Sequence, residues 1–454
     1  MEEASISKAI KITSGTCKYQ HLLLYTYGLL LFACSVSISS LPFMFSPLYG
    51  DSNATTSFML IETREWNRRY LPKQFYLGIA FSAIPGSLLI DKFGRKSMIK
   101  TFAPYYLALC IFSPLSVSRN FLANTLLIQG ILFFVLVSSA LILVTESVNL
   151  KFKSLYLLCL AMCYVLGQLY TDIMFLLNIN WRIIYSSSFF FGLLSYYFLT
   201  KTQESVEWVL STGKTLEAQE ILRIISTINS TKPFNQKLAT INETSKRTSY
   251  QLLRKYLQKC TIFSVLWLCL FMSCTAAYYS PVKLSDNIYK NYMFCFIINV
   301  ISLFLIWVLK NQQNPIKVLF PVLLLSRVGL ILLSLCDPFI NNYWLSSSLI
   351  IIVRLSLNIE MFYIGNLTLQ VFGVDMRGLG FGLCCSFGAI GGFLIFGYPS
   401  YSYIIGAHVD VCAGIFGFLS LFVSLFIGSN RKWVNALREI GGDRKEYLLL
   451  EVKS

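Results

Sequence analysis

Charge is what this sequence has least of. Only 13% of its 454 residues are Asp, Glu, Lys or Arg, against roughly 25% in ordinary soluble domains, too few to cover a soluble chain of this length. Histidine is scarcer still. His21 and His408 are the whole supply, which excludes a haem or a His-ligated metal centre, and no Ser/His/Asp or Cys/His arrangement has members in compatible places. The 13 cysteines form no CxxC pair and fall mostly in apolar runs, as at Cys34, Cys110, Cys159, Cys163, Cys384 and Cys385. A buried thiol behaves as a small hydrophobe, so neither a metal site nor a disulfide framework is indicated. Soluble enzymes, disordered tails and secreted disulfide scaffolds drop out together.

What the chain has in excess is apolar and aromatic: 55% of residues are hydrophobic and 15% aromatic, with 36 Phe and 26 Tyr. A helix crossing a bilayer needs about 20 mainly apolar residues. Segments that meet this lie near 22–45, 74–90, 98–117, 125–145, 154–177 and 183–200, then near 260–280, 291–309, 317–335, 343–370, 378–398 and 403–428. The pattern is six, a polar interval, then six. It predicts an all-α polytopic membrane protein of twelve transmembrane helices in two six-helix halves. The expected divisions are an amino-terminal half over 1–200, a loop over 201–258, a carboxyl-terminal half over 259–428 and a tail over 429–454. Pro42, Pro85, Pro104 and Pro321 fall inside or at the edge of spans, which is tolerated where neighbours take up the freed backbone groups.

Basic residues set the orientation. With both ends inside, 28 Lys and Arg lie on inner segments against 8 outside, and Arg327 and Arg354 lie within spans. Both termini are therefore expected on the cytoplasmic side. The net charge of +16 is read the same way, and no nucleic-acid partner is implied. Lys8, Lys11 and Lys18 resemble a signal-peptide n-region, but the apolar run after them is long and lacks an A-x-A site. In the polar interval, Thr215 can cap a helix with Glu217 and Glu220 in its first turn. Leu216, Ile221, Leu222, Ile225 and Ile228 would give it an apolar face against the inner membrane surface or the bundle. Gly213-Lys214-Thr215 mimics the end of a phosphate-binding loop, yet Trp208 stands where its first Gly is required. Gly388, Gly391 and Gly392 allow close helix packing and form no nucleotide fingerprint.

The sharpest local signal is Asp91-Lys92-Phe93-Gly94-Arg95-Lys96, between the second and third spans. A Gly turn joins two helices there, and Asp91 can accept hydrogen bonds from Arg95 or from a helix N-terminus. The stretch resembles the loop signature of the major facilitator superfamily, with Ser87 where that pattern opens on Gly. Further stretches are similar to the organic cation, anion and carnitine transporter family. They are Glu65-Trp66-Asn67, Glu146-Ser147-Val148 with Lys151 to Lys153, Gly167-Gln168, Trp181-Arg182, Glu204 to Trp208 and Tyr278-Tyr279. The carboxyl half departs from that family. Lys310 to Pro315 replaces its second basic loop, Gln370 replaces an acid while Arg377 keeps the base, and Ala389 stands where a cavity charge is usual.

The resemblance implies a solute site near the membrane midplane between two halves that open alternately. It implies an inner charge network of Asp91, Lys92, Gly94, Arg95, Lys96, Glu146, Lys153, Gln370 and Arg377. Intramembrane ionisable groups are costly and so are functional candidates. Gln168 and Asp172, one turn apart, together with Tyr278, Tyr279, Arg354 and the position of Ala389, are the expected solute-facing residues, with Asp172 a solute or proton site and the two tyrosines alternatively interfacial belt residues. The alternative for Asp172 is pairing with Arg182, and for Arg354 a neighbouring carbonyl or acid. Asn53 is the one sequon on an outer segment and is the expected glycosylation site. The expected function is transport of a small organic solute, organic ion-like, across the lipid bilayer of the plasma membrane. No enzyme chemistry, cofactor or metal is expected, and the coupling ion stays open. The alternatives are a neutral solute or sugar facilitator and a transporter-like receptor or accessory protein.

Overall fold

A computed structural model of the chain describes residues 18–41, 64–116, 118–149, 152–231, 249–279, 288–309, 315–339, 343–397, 417–420 and 422. Asn53, the tail over 429–454 and most of the twelfth expected span over 403–428 lie outside the described residues. The amino-terminal half contributes α1 (Lys18–Ser39), α2 (Arg64–Phe93), α3 (Arg95–Phe112), α4 (Arg119–Ser147), α5 (Lys153–Leu176) and α6 (Trp181–Leu199). Two short helices follow, α7 (Val206–Ser211) and α8 (Thr215–Ile228). The carboxyl half contributes α9 (Ser249–Tyr279), α10 (Ile288–Leu309), α11 (Pro315–Phe339), α12 (Tyr343–Val371) and α13 (Arg377–Gly397). Among the described residues, eight helices are long and apolar enough to cross a membrane, and α10 and α11 carry shorter apolar stretches. Apolar rings such as Phe190 and Phe304 point outward at 69% and 60% exposure, a surface that only lipid suits. The chain is an all-helical, multi-pass membrane protein.

Helix starts follow side-chain chemistry. Ser118 accepts from the Phe121 amide at 3.3 Å, Asn180 from Arg182 at 2.9 Å and Ser205 from Trp208 at 3.2 Å, each satisfying an amide that has no partner inside its helix. Within the amino half α2 lies along α4, and α1 lies along α5 and α6; within the carboxyl half α11 packs on α12 and α9 on α13. The halves meet chiefly where α2 packs on α13 and α5 on α10, with smaller contacts of α4 with α13 and of α5 with α12. The α2–α13 approach is close. Ser87 is fully buried, and a Cβ built on Gly382 would come within 2.5 Å of the Ser87 Cβ and 2.4 Å of the Ala83 carbonyl. The space that Ser87 takes on α2 is thus left by glycine on its partner.

The α8 start differs from expectation. Lys214, with no side-chain cap, precedes Thr215, which is already helical; Gly213 takes φ 83° and turns the chain so that the threonine falls one position late. Ala218, Ile221, Leu222 and Ile225 are buried, whereas Leu216 is 81% exposed. The covered face meets the bundle. Asn229 accepts from the Tyr19 amide at 2.8 Å and donates to Gln20 at 3.2 Å.

Candidate functional site

The α2–α3 corner is built around one residue. Gly94 takes φ 99°, a region that costs a side-chain-bearing residue strain, and it brings the free amides of α3 to the surface of the turn. Glu204 accepts from Arg95 N at 3.1 Å, Lys96 N at 3.0 Å and Ser97 N at 3.3 Å. A carboxylate at a helix N-terminus meets both unpaired amides and the positive end of the dipole. Trp208, four residues on, donates its indole N–H to the Asp91 carbonyl at 2.8 Å. The segment Glu204–Trp208 therefore straps the corner from below.

From that corner the charges reach across to the other half. The Asp91 carboxylate accepts from Gly378 N at 3.2 Å and Leu379 N at 2.9 Å, so it caps α13. A Cβ on Gly378 would stand 2.5 Å from Asp91 Oδ1, which restricts this position to glycine in the closed arrangement. Arg95, fully buried, lies 3.2 Å from Asp91 and 3.2 Å from Glu146 and donates to the Val374 carbonyl at 3.4 Å. Arg377 of α13 lies 2.8 Å from Glu146 and 3.0 Å from Glu207, and Lys153 lies 3.8 Å from Glu207. Two arginines, one from each half, thus share the buried carboxylate of Glu146. Lys92 is outside this cluster, exposed with its ammonium 5.2 Å from the Phe93 ring. Lys96 donates to the Thr202 carbonyl. Gln370 is outside it too, donating to Asn366 at 2.6 Å, while Asn366 donates to Ser154 of α5 at 3.2 Å.

A second polar layer lies deeper, where α5 meets α10 and α12. Asn299 donates to Gln168 at 2.8 Å, and Asn358 donates to Asn299 at 2.7 Å and to Ser302 at 3.1 Å. One turn farther from the charge cluster, Arg354 donates to Cys295 Sγ at 2.6 Å and to the Ala277 carbonyl at 3.1 Å. Asp172 lies on this level near Cys295, 4% exposed, and neither carboxylate oxygen has a hydrogen-bond partner among the described residues. The expected alternative of an Asp172–Arg182 pair is not what the structure holds; Arg182 lies over the Trp181 ring at 5.5 Å. Ala389 is buried in α13. Tyr278 and Tyr279 end α9, and their side chains lie outside the described residues.

Sequence reasoning left several groups without a role. Glu204 and Glu207 lie in the stretch that carries the family resemblance, which by itself assigns them no partner. Asn299 and Asn358 are single amides in apolar runs, a signal as costly to bury as it is easy to overlook. Arg327 and Glu360 form a fully buried ion pair at 2.8 Å, with Ser326 donating to Glu360 and Arg327 donating to Ser420 at 3.4 Å. Among the described residues no group of three or more His, Cys, Asp or Glu is gathered as a metal site.

A family model described as "Sugar (and other) transporter" matches residues 72–310. Among solved structures, the chain is similar to the proton:xylose symporter XylE of E. coli bound to 6-bromo-6-deoxy-D-glucose, with TM-score 0.71 and 15% identity over 91% of this chain and 96% of that one. It is similar to the human organic anion transporter MFSD10, with TM-score 0.63 and 12% identity over 90% and 99% of the two chains. The E. coli fucose:proton symporter FucP gives TM-score 0.59 and 14% identity over 90% and 98%. These likenesses show the major facilitator fold.

Proposed function

The chain belongs to the sugar (and other) transporter family of secondary transporters, and we propose that it carries a small organic solute of organic-ion character between its two halves. The family works by alternating access, two halves rocking about a central site. The observation that supports the present reading is Glu146 held at once by Arg95 of one half and Arg377 of the other. Asp91, Arg95, Glu146, Lys153, Glu207 and Arg377 act as the gate on the inner side. Opening that side requires Arg377 to leave both carboxylates and α13 to withdraw its first amides from Asp91. Each group regains water as it parts, so the net bias stays small, about 1–3 kcal/mol.

The solute sits against Gln168, Asp172, Asn299, Asn358 and Arg354. The motifs of the amino half favour the organic cation, anion and carnitine branch. A neutral, sugar-like solute is the second reading, favoured by the uncharged amide layer of Gln168, Asn299 and Asn358, whose paired donors and acceptors can be exchanged for hydroxyls. The excess of basic residues on inner segments supports cytoplasmic termini, and Asn53 is the outer glycosylation site of a plasma-membrane protein. Uptake from a mixed metabolite pool into proteoliposomes, read by mass spectrometry, tests the assignment. Entry of one chemical class, lost in Glu146→Gln, is the expected result. Entry of no solute by the wild-type protein overturns it.

A further inference from the structure

The acids of the inner gate are all paired, but the deeper layer holds one that is not. A carboxylate in an apolar interior needs a counter-charge, hydrogen-bond donors or a proton. Asp172 is 4% exposed and has none of the first two among the described residues. The groups that face it are few. From α10 comes Cys295, whose Sγ also receives the guanidinium of Arg354 on α12. Arg354 donates besides to the Ala277 carbonyl, Glu360 of α12 is held by Arg327 and Ser326, and the side chain of Lys290 at the start of α10 lies outside the described residues. On α1 the only charged or imidazole side chains are Lys18 and His21, at the opposite end; α4 carries Arg119 and Glu146 at its two ends; α6 carries Arg182 alone, stacked on Trp181. Among the described side chains of these helices, Arg354 is the basic group of the other half that shares a neighbour, Cys295, with Asp172.

We propose that Asp172 carries a proton through the transport cycle, neutral in the conformation seen here and ionised, paired with Arg354 across the halves, in the opposite one. The proton leaves the carboxyl oxygen for water, and Arg354 keeps its own proton throughout. The placement gives the exchange a direction. Nineteen residues, about 28 Å of helix, separate Asp172 from Lys153 at the gate end of α5. A pair formed that far from the gate draws α5 and α12 together on the outer side. Rocking then parts the gate side, where Asp91 and Arg377 hold it shut in this structure. Protonation of Asp172 releases Arg354 to Cys295 and Ala277 and returns the gate to its closed state. The proposal rests on the reading of two rocking halves.

Two measurements on the purified full-length protein in nanodiscs test it without any solute. The amides of Gly378 and Leu379 are held by Asp91 only while the gate is shut, so their deuterium exchange reports opening. Wild type and Asp172→Asn are compared at each pH, which cancels the intrinsic base-catalysed rate. From acidic to alkaline buffer the wild type should open at least about fivefold more, the low end of ordinary coupling. Asp172→Asn should show no such rise, and Asp172→Glu should restore it. Infrared difference spectra between the two buffers should contain the carbonyl stretch of a protonated acid, absent in Asp172→Asn and kept in Arg354→Gln. Persistence of both the pH-dependent opening and that band in Asp172→Asn overturns the proposal, as does a wild-type gate indifferent to pH. Uptake experiments answer separately. A protein that moves no solute but titrates as described overturns the transport reading alone, and one that transports with a flat exchange profile overturns the proton alone.

Discussion

Two systems of buried charge occupy this molecule, and they are built on opposite plans. Arg327 and Glu360 sit on adjacent helices of one half, fully buried and 2.8 Å apart. The gate charges are spread over α2, α3, α4, α5, α7 and α13, and the contacts made by Arg377, like those of the Asp91 carboxylate with α13, cross between halves. A pair inside one half has no motion that rehydrates it, so its strength must be permanent. A network across a seam is paired when the seam is shut and hydrated when it opens, so its two states stay close in free energy. On the proposed reading, the comparison separates charges that hold a half together from charges that time its movement.

The largest break in that comparison comes from the permanent pair. Glu360→Gln leaves Arg327 buried without its counter-charge and should cost about 3–5 kcal/mol, read as a drop in thermal midpoint of the purified protein. Replacing both, as Arg327→Met with Glu360→Leu, should recover most of the loss, because the dry site prefers apolar volume to a lone charge. A double variant as unstable as the single one would give the pair a role beyond holding its half together.

Gate variants should move the conformational balance. Asp91→Asn should keep the thermal midpoint, whereas Glu146→Gln, which also takes a buried carboxylate from Arg95 within one half, should lower it as well. Asp91→Asn and Glu146→Gln should each shift that balance by about 1–3 kcal/mol, or 5–150-fold, seen as faster deuterium exchange at Gly378 and Leu379. Transport rate falls while affinity measured in one trapped state stays nearly fixed. Their combination should be less than additive, since both serve one network. Unchanged exchange in both variants would reduce Asp91 to a loop residue.

Gly378→Ala sharpens the same point sterically. Its Cβ would stand 2.5 Å from Asp91 Oδ1, so the closed state alone is penalised, by about 1–2 kcal/mol on the usual scale of overpacking. Exchange at Leu379 should rise in the alanine variant, and adding it to Asp91→Asn should change little more. The smallest effect belongs to the exposed Lys214–Glu217 pair at 3.0 Å, whose side chains are 58% and 48% exposed. Lys214→Ala should alter stability by less than about 0.5 kcal/mol, within the noise of a melting curve.

Eight spans were legible among the described residues because a bilayer demands length and apolarity that few sequences reach by chance; the edges of α5, expected at 154 and 177, fall at Lys153 and Leu176. Asp91 to Lys96 was legible as a corner because only glycine turns so sharply between two helices. The partners across the seam were not. Arg377 meets Glu207 across 170 positions of sequence, and Gln168 meets Asn299 across 131, separations at which no local periodicity carries information. Gln370 illustrates the converse. Its place in a familiar pattern suggested the charge network, but an amide finds its own helix neighbour Asn366 before it finds an arginine. Ser87 was marked as a departure on α2, and the compensation lay in Gly382 on a helix nearly 300 residues away.

The shared hold on Glu146 has an electrostatic consequence for the open state. The ion-paired members of the gate are three acids, Asp91, Glu146 and Glu207, and three bases, Arg95, Lys153 and Arg377, so the closed seam is neutral. Only Arg377 comes from the carboxyl half. As the seam parts, one wall of the vestibule keeps a surplus negative charge and the other carries away the positive one. On the proposed cycle, the opened mouth is then a charged gap with a field across it. Dissolved ions screen such a field only once water has entered. Added salt therefore acts on one end of the cycle and spares the other, tilting the protein toward its inward-open form.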